Sequence, residues 1–287
     1  MSRAVLAVGI LAMSAASILI RLAEAPALAI GAWRMLLATI LLTPWALPRA
    51  RCEWTALKRP DLILLCLSGL ALATHFATWI TSLSLTSVAS SVILVTTNPI
   101  YVGLASHYLL GEPVSRRKVL AILLVLIGSV IIGFGDLRAS GQALLGDALA
   151  LAGALAMSAH ILLGRVLRRK LSTLAYVWPC YGLAGLLLAG LCGVAGQPLV
   201  GYPGQTYLMF VLLALVPQIV GHSTFNWALV HVSPLMVSLA ILGEPLGASV
   251  LALLVLGEVP APATVLGGPL IVAGIYLACR DELAVAS

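Results

Sequence analysis

The chain has 287 residues, of which 61% are hydrophobic and 9% charged, with a mean hydropathy of +1.11 and a net charge of +6. Soluble domains carry roughly 25% charged residues, so a soluble core cannot enclose this much apolar surface and the solvent must be lipid. The positive charge lies in short segments between apolar runs, which makes it a topology signal and excludes a nucleic-acid footprint.

A spanning helix needs about 20 mostly apolar residues. Charge clusters and Pro/Gly loops divide the chain into ten such helices, at 4–22, 28–47, 61–82, 87–110, 116–134, 144–164, 173–194, 206–230, 233–256 and 261–280. The first run, with Ala23-Glu24-Ala25 behind it, resembles a secretory signal. It is longer than a usual signal core, however, and Pro26 would follow the cut. The second helix holds Arg34. On the third, His75 and Trp79 are four apart and share a face. The fourth carries a polar line of Ser87, Ser91, Asn98 and Tyr101, with Pro99 inside it, and the inner end of the same helix holds His107. The loop GDLRASGQ at 135–142 divides the chain near its middle, giving five helices in 1–139 and five in 140–287. His160 lies on the sixth helix and the aromatics Tyr176, Trp178 and Tyr181 on the seventh. The eighth has Gln218, His222 and Asn226 at every fourth position, with Trp227 adjoining. Lipid tails offer no hydrogen bonds, so such polar stripes must point away from them. The ninth helix contains Glu244 followed by Pro245, and proline frees a carbonyl one turn earlier, near Ile241.

With the N-terminus inside, Arg3, Arg49, Arg51, Lys58, Arg59, Arg116, Arg117, Lys118, Arg165, Arg168, Arg169, Lys170 and Arg280 all fall on the inner side. That is thirteen of the 16 basic residues. The asymmetry predicts both termini on the cytoplasmic side of a cytoplasmic (inner) membrane. The five cysteines show no paired metal spacing, and no chemistry is assigned to them.

The pair Gly-Glu occurs at 111, 243 and 257. Matching 111 to 257, an offset of 146, also brings Asn98 onto Glu244, Pro99 onto Pro245 and Gly128 onto Gly274 without gaps. Matching 111 to 243 would cut the ninth helix into pieces too short to span. At an offset of 144, Gly9 matches Gly153, Met13-Ser14-Ala15 matches Met157-Ser158-Ala159, and Arg21 matches Arg165. The chain therefore reads as two five-helix repeats. Five is odd, so the second enters the membrane inverted, an architecture of secondary transporters with sites near the midplane.

The stretches that carry these matches are ALAIGAWRMLLATILL (27–42), LSLTSVASSVILVTTNPIYVGLASHYLLGE (83–112), ALVHVSPLMVSLAILGEPLGASVLALLVLGE (228–258) and GGPLIVAGIYL (267–277). In them the sequence resembles the drug/metabolite transporter superfamily, specifically its ten-helix EamA-type members. The resemblance implies export of small metabolites, and the chain is similar to the branch exporting aromatic and other amino acids. The halves depart from each other where Trp178 stands opposite Arg34 and Glu244 opposite Asn98, so unequal contributions to a site are expected.

Ionisable groups inside a membrane tend to face a bundle interior or a water-filled cavity. The interior set is Arg34, His75, His107, His160, His222 and Glu244. A shared cavity is expected among His75, Trp79, Asn98, Tyr101, His160, Trp178, Gln218, His222, Asn226, Trp227 and Glu244. Glu244 binds a substrate amine or carries a proton, or else ties helices together at a kink. Arg34 meets a substrate carboxylate or is a structural tie. The polar stripes line a cavity or glue helices together. Pro99 and Pro245 at matched positions suggest symmetric hinges. The expected ligand is a small amphipathic metabolite, an amino acid before others, with no cofactor; one monomer houses the whole pathway, and a dimer remains compatible with it.

The rival readings are a lipid transporter, for which a groove open to the bilayer leaves no motif, and an intramembrane enzyme. A metalloprotease would need H-E-x-x-H, which is absent. A serine type would need an activated Ser with a His, for which Ser68 with His75 is a weak hint. No ATP-binding P-loop occurs.

Overall fold

The computed structural model describes residues 2–86, 91, 94–111, 114–133, 141–256 and 262–286. Every regular element among them is helical: α1 (Ser2–Ser14), α2 (Ala16–Leu22), α3 (Ala27–Trp54), α4 (Arg59–Leu85), α5 (Asn98–Leu110), α6 (Arg116–Gly133), α7 (Gly141–Leu167), α8 (Thr173–Val194) and α9 (Gly204–Leu213). A π-helical segment (Ala214–His222) follows, then α10 (Ser223–Ala228), α11 (Pro234–Ile241), α12 (Glu244–Leu256) and α13 (Pro262–Ala286). The all-α expectation holds. Seven stretches among the described residues are long and apolar enough to cross a membrane: Ala4–Leu22, Ala27–Trp54, Arg59–Leu85, Gln142–Leu167, Thr173–Val194, Gly204–Ala228 and Pro234–Val255.

Three of the ten expected spans are not among these seven. Residues 87–90 and 92–93 of the fourth, Ser87 included, lie outside the described residues, as do the 134–140 part of the mid-chain loop, Glu112 and the pair Gly257-Glu258. In the fifth, α6 is 18 residues long and opens on Arg116, Arg117 and Lys118, so no uncharged window of spanning length remains. In the tenth, the apolar described part is Val265–Leu277. The second span is longer than expected: α3 continues through Pro44 and Pro48 to Trp54. An interior proline removes one helical hydrogen bond, and here the helix carries on past both. Beside them Ile40, Thr43, Pro44, Leu47 and Pro48 line an open surface groove of about 460 Å³.

Helix ends follow local chemistry. Ser172 accepts from the Ala175 N–H at 3.3 Å and Ser233 from the Met236 N–H at 3.2 Å, each satisfying a free donor of the first turn. Gly111 closes α5 with φ of 67°, a conformation that glycine adopts without strain.

Packing pairs distant parts of the chain. Helix α3 lies along α8, α4 against α7 and α8, and α6 along α13; α1 packs on the π segment, α10 and α12, and α5 on α7 and α11. The α3–α8 pair is antiparallel. Trp54 Nε1 donates to the Ala175 carbonyl at 3.2 Å, while farther along the pair Gly182 faces Thr39, Gly185 faces Leu36 and Gly31 faces Leu188. The α6–α13 pair is antiparallel too. A Cβ on Gly128 would stand 2.6 Å from the Gly267 carbonyl and 2.9 Å from Ile271 Cγ1. One on Gly274 would stand 2.5 Å from Val125 Cγ2 and 2.8 Å from the Ala121 carbonyl. Small residues let these backbones approach where lipid supplies no hydrophobic drive.

The two ends of the bundle are closed differently. At one end Lys170 Nζ sits 2.6 Å from Asp61 Oδ1, and the Ser172 N–H donates to Glu53 Oε2 at 2.6 Å. There Arg165 donates to the carbonyls of Leu229 and Val232, and Arg168 to those of Asn226 and Leu171. Arg168 lies beyond the spanning stretch, and partial burial holds its guanidinium below the ordinary arginine range. At the other end Trp33 Nε1 donates to the Leu199 carbonyl at 2.7 Å, and its ring stacks on Phe210 at 6.0 Å.

Candidate functional site

Two helix breaks organise the centre. Before Pro245 the chain tightens, with Gly243 N–H to the Ala240 carbonyl at 3.0 Å, and α12 starts afresh at Glu244. Before Pro99 the same step recurs, with Thr97 N–H to the Leu94 carbonyl at 3.2 Å, and α5 starts at Asn98. Each break is clasped by a serine from elsewhere. Ser14 Oγ bonds its own helix at the Ile10 carbonyl (2.8 Å) and lies 3.3 Å from the Glu244 carbonyl. Ser158 Oγ bonds the Ala154 carbonyl (2.7 Å) and lies 3.3 Å from the Asn98 carbonyl. A Cβ on Gly247 would collide with Ser14, so only glycine leaves room for the first clasp. Replacing both serines with alanine is expected to lower the melting temperature only slightly, since membrane hydrogen bonds contribute about 0.6 kcal/mol each. Maximal uptake is expected to change several-fold; unchanged uptake would reduce the clasps to packing.

Next to these breaks lies a polar cluster. Arg34 is 0% exposed; its Nε donates to Gln218 Oε1 at 2.8 Å, and its guanidinium carbon sits 4.5 Å from the Phe76 ring centroid. The other side groups around Phe76 are His75 at 4.9 Å and His222, edge-on, at 5.4 Å. His75 stacks on Trp79 at 5.7 Å, and its Nδ1 donates to the Gly153 carbonyl at 3.0 Å. Glu244, 8% exposed, is near enough for its charge to act on Arg34 but makes no ion pair with it within 4.0 Å. Several polar atoms here are buried with no hydrogen-bond partner among the described residues: Arg34 Nη1 and Nη2, Gln218 Nε2, His222 Nε2 and Trp79 Nε1; at the Pro99 break Asn98 Oδ1 is another. Buried polar atoms are nearly always paired in folded proteins, so these atoms mark the cluster as the candidate site.

The π-helical turn sets this arrangement. The Ser223 N–H reaches back to the Gln218 carbonyl, five residues earlier, with Pro217 in the same segment. Such π insertions are rare and favour functional sites. Gln218 reaches Arg34 and His222 reaches Phe76, while Asn226 bonds the His222 carbonyl at 3.0 Å.

The remaining expected residues lie elsewhere. Trp178 Nε1 donates to Thr43 Oγ1 at 2.9 Å and its ring tilts against Trp54, at the basic end of the bundle. Trp227 packs on His231 at 4.2 Å, and Tyr101 is half-buried on α5. His107 is exposed beside Tyr108. Ser91 Oγ pairs with Ser82 Oγ at 2.5 Å. His160 joins a separate node: its Nδ1 is 2.9 Å from Ser68 Oγ, which is in turn 2.6 Å from the Tyr176 hydroxyl. The histidine beside Ser68 is therefore His160 and not His75, and sequence spacing could not have shown a contact across 92 residues. Phe76, Ser14 and Ser158 were also missed as site residues; the repeat match of Ser14 and Ser158 was the available signal.

Comparison with known proteins follows the same lines. The EamA-like transporter family model matches residues 3–134 and 144–280. A protein of Clostridium kluyveri named as an uncharacterized transporter is 26% identical over 253 residues, covering 83% of this chain and 79% of that one. One from Archaeoglobus fulgidus, with the same name, is 24% identical over 255 residues, covering 87% and 86%. A second from that organism is 27% identical over 223 residues, covering 78% of each. A solved structure titled only as the crystal structure of a protein superposes with a TM-score of 0.81 at 20% identity, over 100% of this chain and 99% of that one, and shows the shared fold.

Proposed function

The chain belongs to the EamA-like transporter family and is a multi-pass membrane protein, and from that premise we propose that it is a secondary transporter exporting amino acids or closely similar metabolites across the cytoplasmic membrane. It works by alternating access around the Arg34–Gln218–His222–Glu244 cluster, between two inverted five-helix halves, 1–139 and 140–287, with both termini in the cytoplasm. Each half opens and closes about its proline break, at Pro99 and Pro245.

The observation that carries this reading is the doubled clasp. Ser14 and Ser158 are repeat equivalents, and so are their partners Glu244 and Asn98, so each half grips the break of the other by the same bond. Two other contacts double in the same way: Gly9 faces Thr224 and Phe225, as Gly153 faces Thr78 and Trp79. Inverted halves with equivalent mutual contacts allow two mirror states, one open to each side, by exchanging conformations. The antiparallel α3–α8 and α6–α13 pairs and the two separate family matches on either side of residue 140 support it further. The amino-acid class comes from the family resemblance.

The test is uptake of labelled amino acids by pure protein in liposomes, with and without a pH gradient. Saturable uptake with mutual competition is expected. If amino acids do not move while lipids are scrambled or another metabolite is carried, the substrate class is wrong.

A further inference from the structure

We propose that Arg34 is a carboxylate receptor: its free guanidinium end, oriented by Gln218, grips the carboxylate of the transported molecule. This rests on the transporter reading above and names the charged pole that its ligand must carry.

Arginine offers five N–H donors and stays charged. At Arg34 one donor, on Nε, is used by Gln218, one face of the plane is covered by Phe76, and the Nη1–Nη2 end has no hydrogen-bond partner among the described residues although the side chain is wholly buried. An arginine that serves as a structural tie closes its fork on carbonyls, and this chain contains two of that kind, since Arg165 and Arg168 each bond two backbone carbonyls. Arg34 does not. Buried donors left without a hydrogen-bond partner cost free energy, so a fork that none of the described residues closes is kept for something that arrives.

The neighbouring unpartnered atoms say what arrives. Gln218 Nε2 and Trp79 Nε1 are donors, while His222 Nε2 donates or accepts with its tautomer. A site so rich in donors fits a ligand rich in acceptors. A carboxylate meets the fork with two parallel hydrogen bonds. A dianion such as a phosphate is disfavoured, because among the described residues Arg34 is the one arginine or lysine of the cluster and the charge of Glu244 acts on it. Gln218 acts as a positioning residue, holding Nε and leaving the Nη end open. The rings of Phe76, His75 and Trp79 form an apolar deck beside it, suited to the uncharged part of the same molecule.

The experiment uses the full chain in proteoliposomes and measures uptake of labelled L-alanine, L-leucine and L-phenylalanine and of their decarboxylated amines. Competitors are 4-methylpentanoate, L-leucinamide and inorganic phosphate. The amino acids should enter and 4-methylpentanoate should compete, while the amines, the amide and phosphate act on the order of 100-fold more weakly, the loss expected from two charge-assisted hydrogen bonds. Gln218→Glu gives Arg34 an internal acid, so it should keep the fold and lose uptake, whereas a structural tie would be preserved or strengthened by it. Amines or the amide moving as well as the acids would overturn the inference while leaving a transporter. If none of these compounds moves or competes, the inference falls together with the amino-acid reading beneath it.

Discussion

Glutamine at position 244 is expected to reduce saturable uptake tenfold or more, equivalent to about 1.4 kcal/mol, without unfolding the protein. The change keeps the shape of the side chain. Ser14 bonds the backbone carbonyl of Glu244, which the substitution does not touch, and among the described residues the carboxyl makes no hydrogen bond that would be lost. An acid in the first turn of α12 contributes about 0.3–1 kcal/mol through the helix dipole, so the melting temperature should fall by a few degrees at most. What disappears is the carboxyl whose charge acts on Arg34. If wild-type uptake follows a pH gradient and the residual uptake of Glu244→Gln does not, Glu244 carries the proton. Normal transport by the variant would make Glu244 a tie at the kink and end its role in coupling.

The largest loss of stability is expected from Gly128→Ala and Gly274→Ala, measured as melting temperature in detergent. Both added methyl groups would press on backbone: 2.6 Å from the Gly267 carbonyl in one case, 2.8 Å from that of Ala121 in the other. Neither neighbour can rotate away, so α6 and α13 must separate, and overpacking of this kind costs about 1–3 kcal/mol. The double variant should cost less than the two singles together, because helices already pushed apart make room for the second methyl. Gly190→Ala and Gly193→Ala, on the same scale of change, meet nothing within 4 Å and should be neutral or slightly stabilising, since alanine is the better helix former. Equal losses at all four positions would mean that the α6–α13 crossing is not tight.

Much of this was readable beforehand, and the reasons differ by residue. Asn98 with Glu244, Gly128 with Gly274 and Met13-Ser14-Ala15 with Met157-Ser158-Ala159 are matches of position, and Ser14 and Ser158, Glu244 and Asn98, and the two glycines make corresponding contacts. An alignment of two halves cannot say which half touches which, so the cross-grip of the serines could not be read. Proline removes a helical hydrogen bond, and the breaks fell just before Pro99 and Pro245, whereas α3 runs on through Pro44 and Pro48. Pro217 gave a weaker sign: spacing at every fourth residue suits an ordinary helix, whereas the π turn adds a residue and redirects Gln218 towards Arg34. Trp178 and Trp227 show the limit of residue type. An aromatic on a spanning helix packs equally well on a neighbouring ring or in a cavity, and only the three-dimensional neighbours decide.

The crossing of α6 and α13 has one more consequence. Gly128 meets Gly267 and Ile271, and Gly274 meets Ala121 and Val125; shifted by the repeat offset, the first set of residues becomes the second. The surface is isologous, pairing with its own equivalent as in a two-fold dimer. The fit is self-complementary: the place that receives Gly128 on α13 and the place that receives Gly274 on α6 are built from equivalent positions. Selection on either glycine acts on the same fit, so the two positions are tied to a common fate.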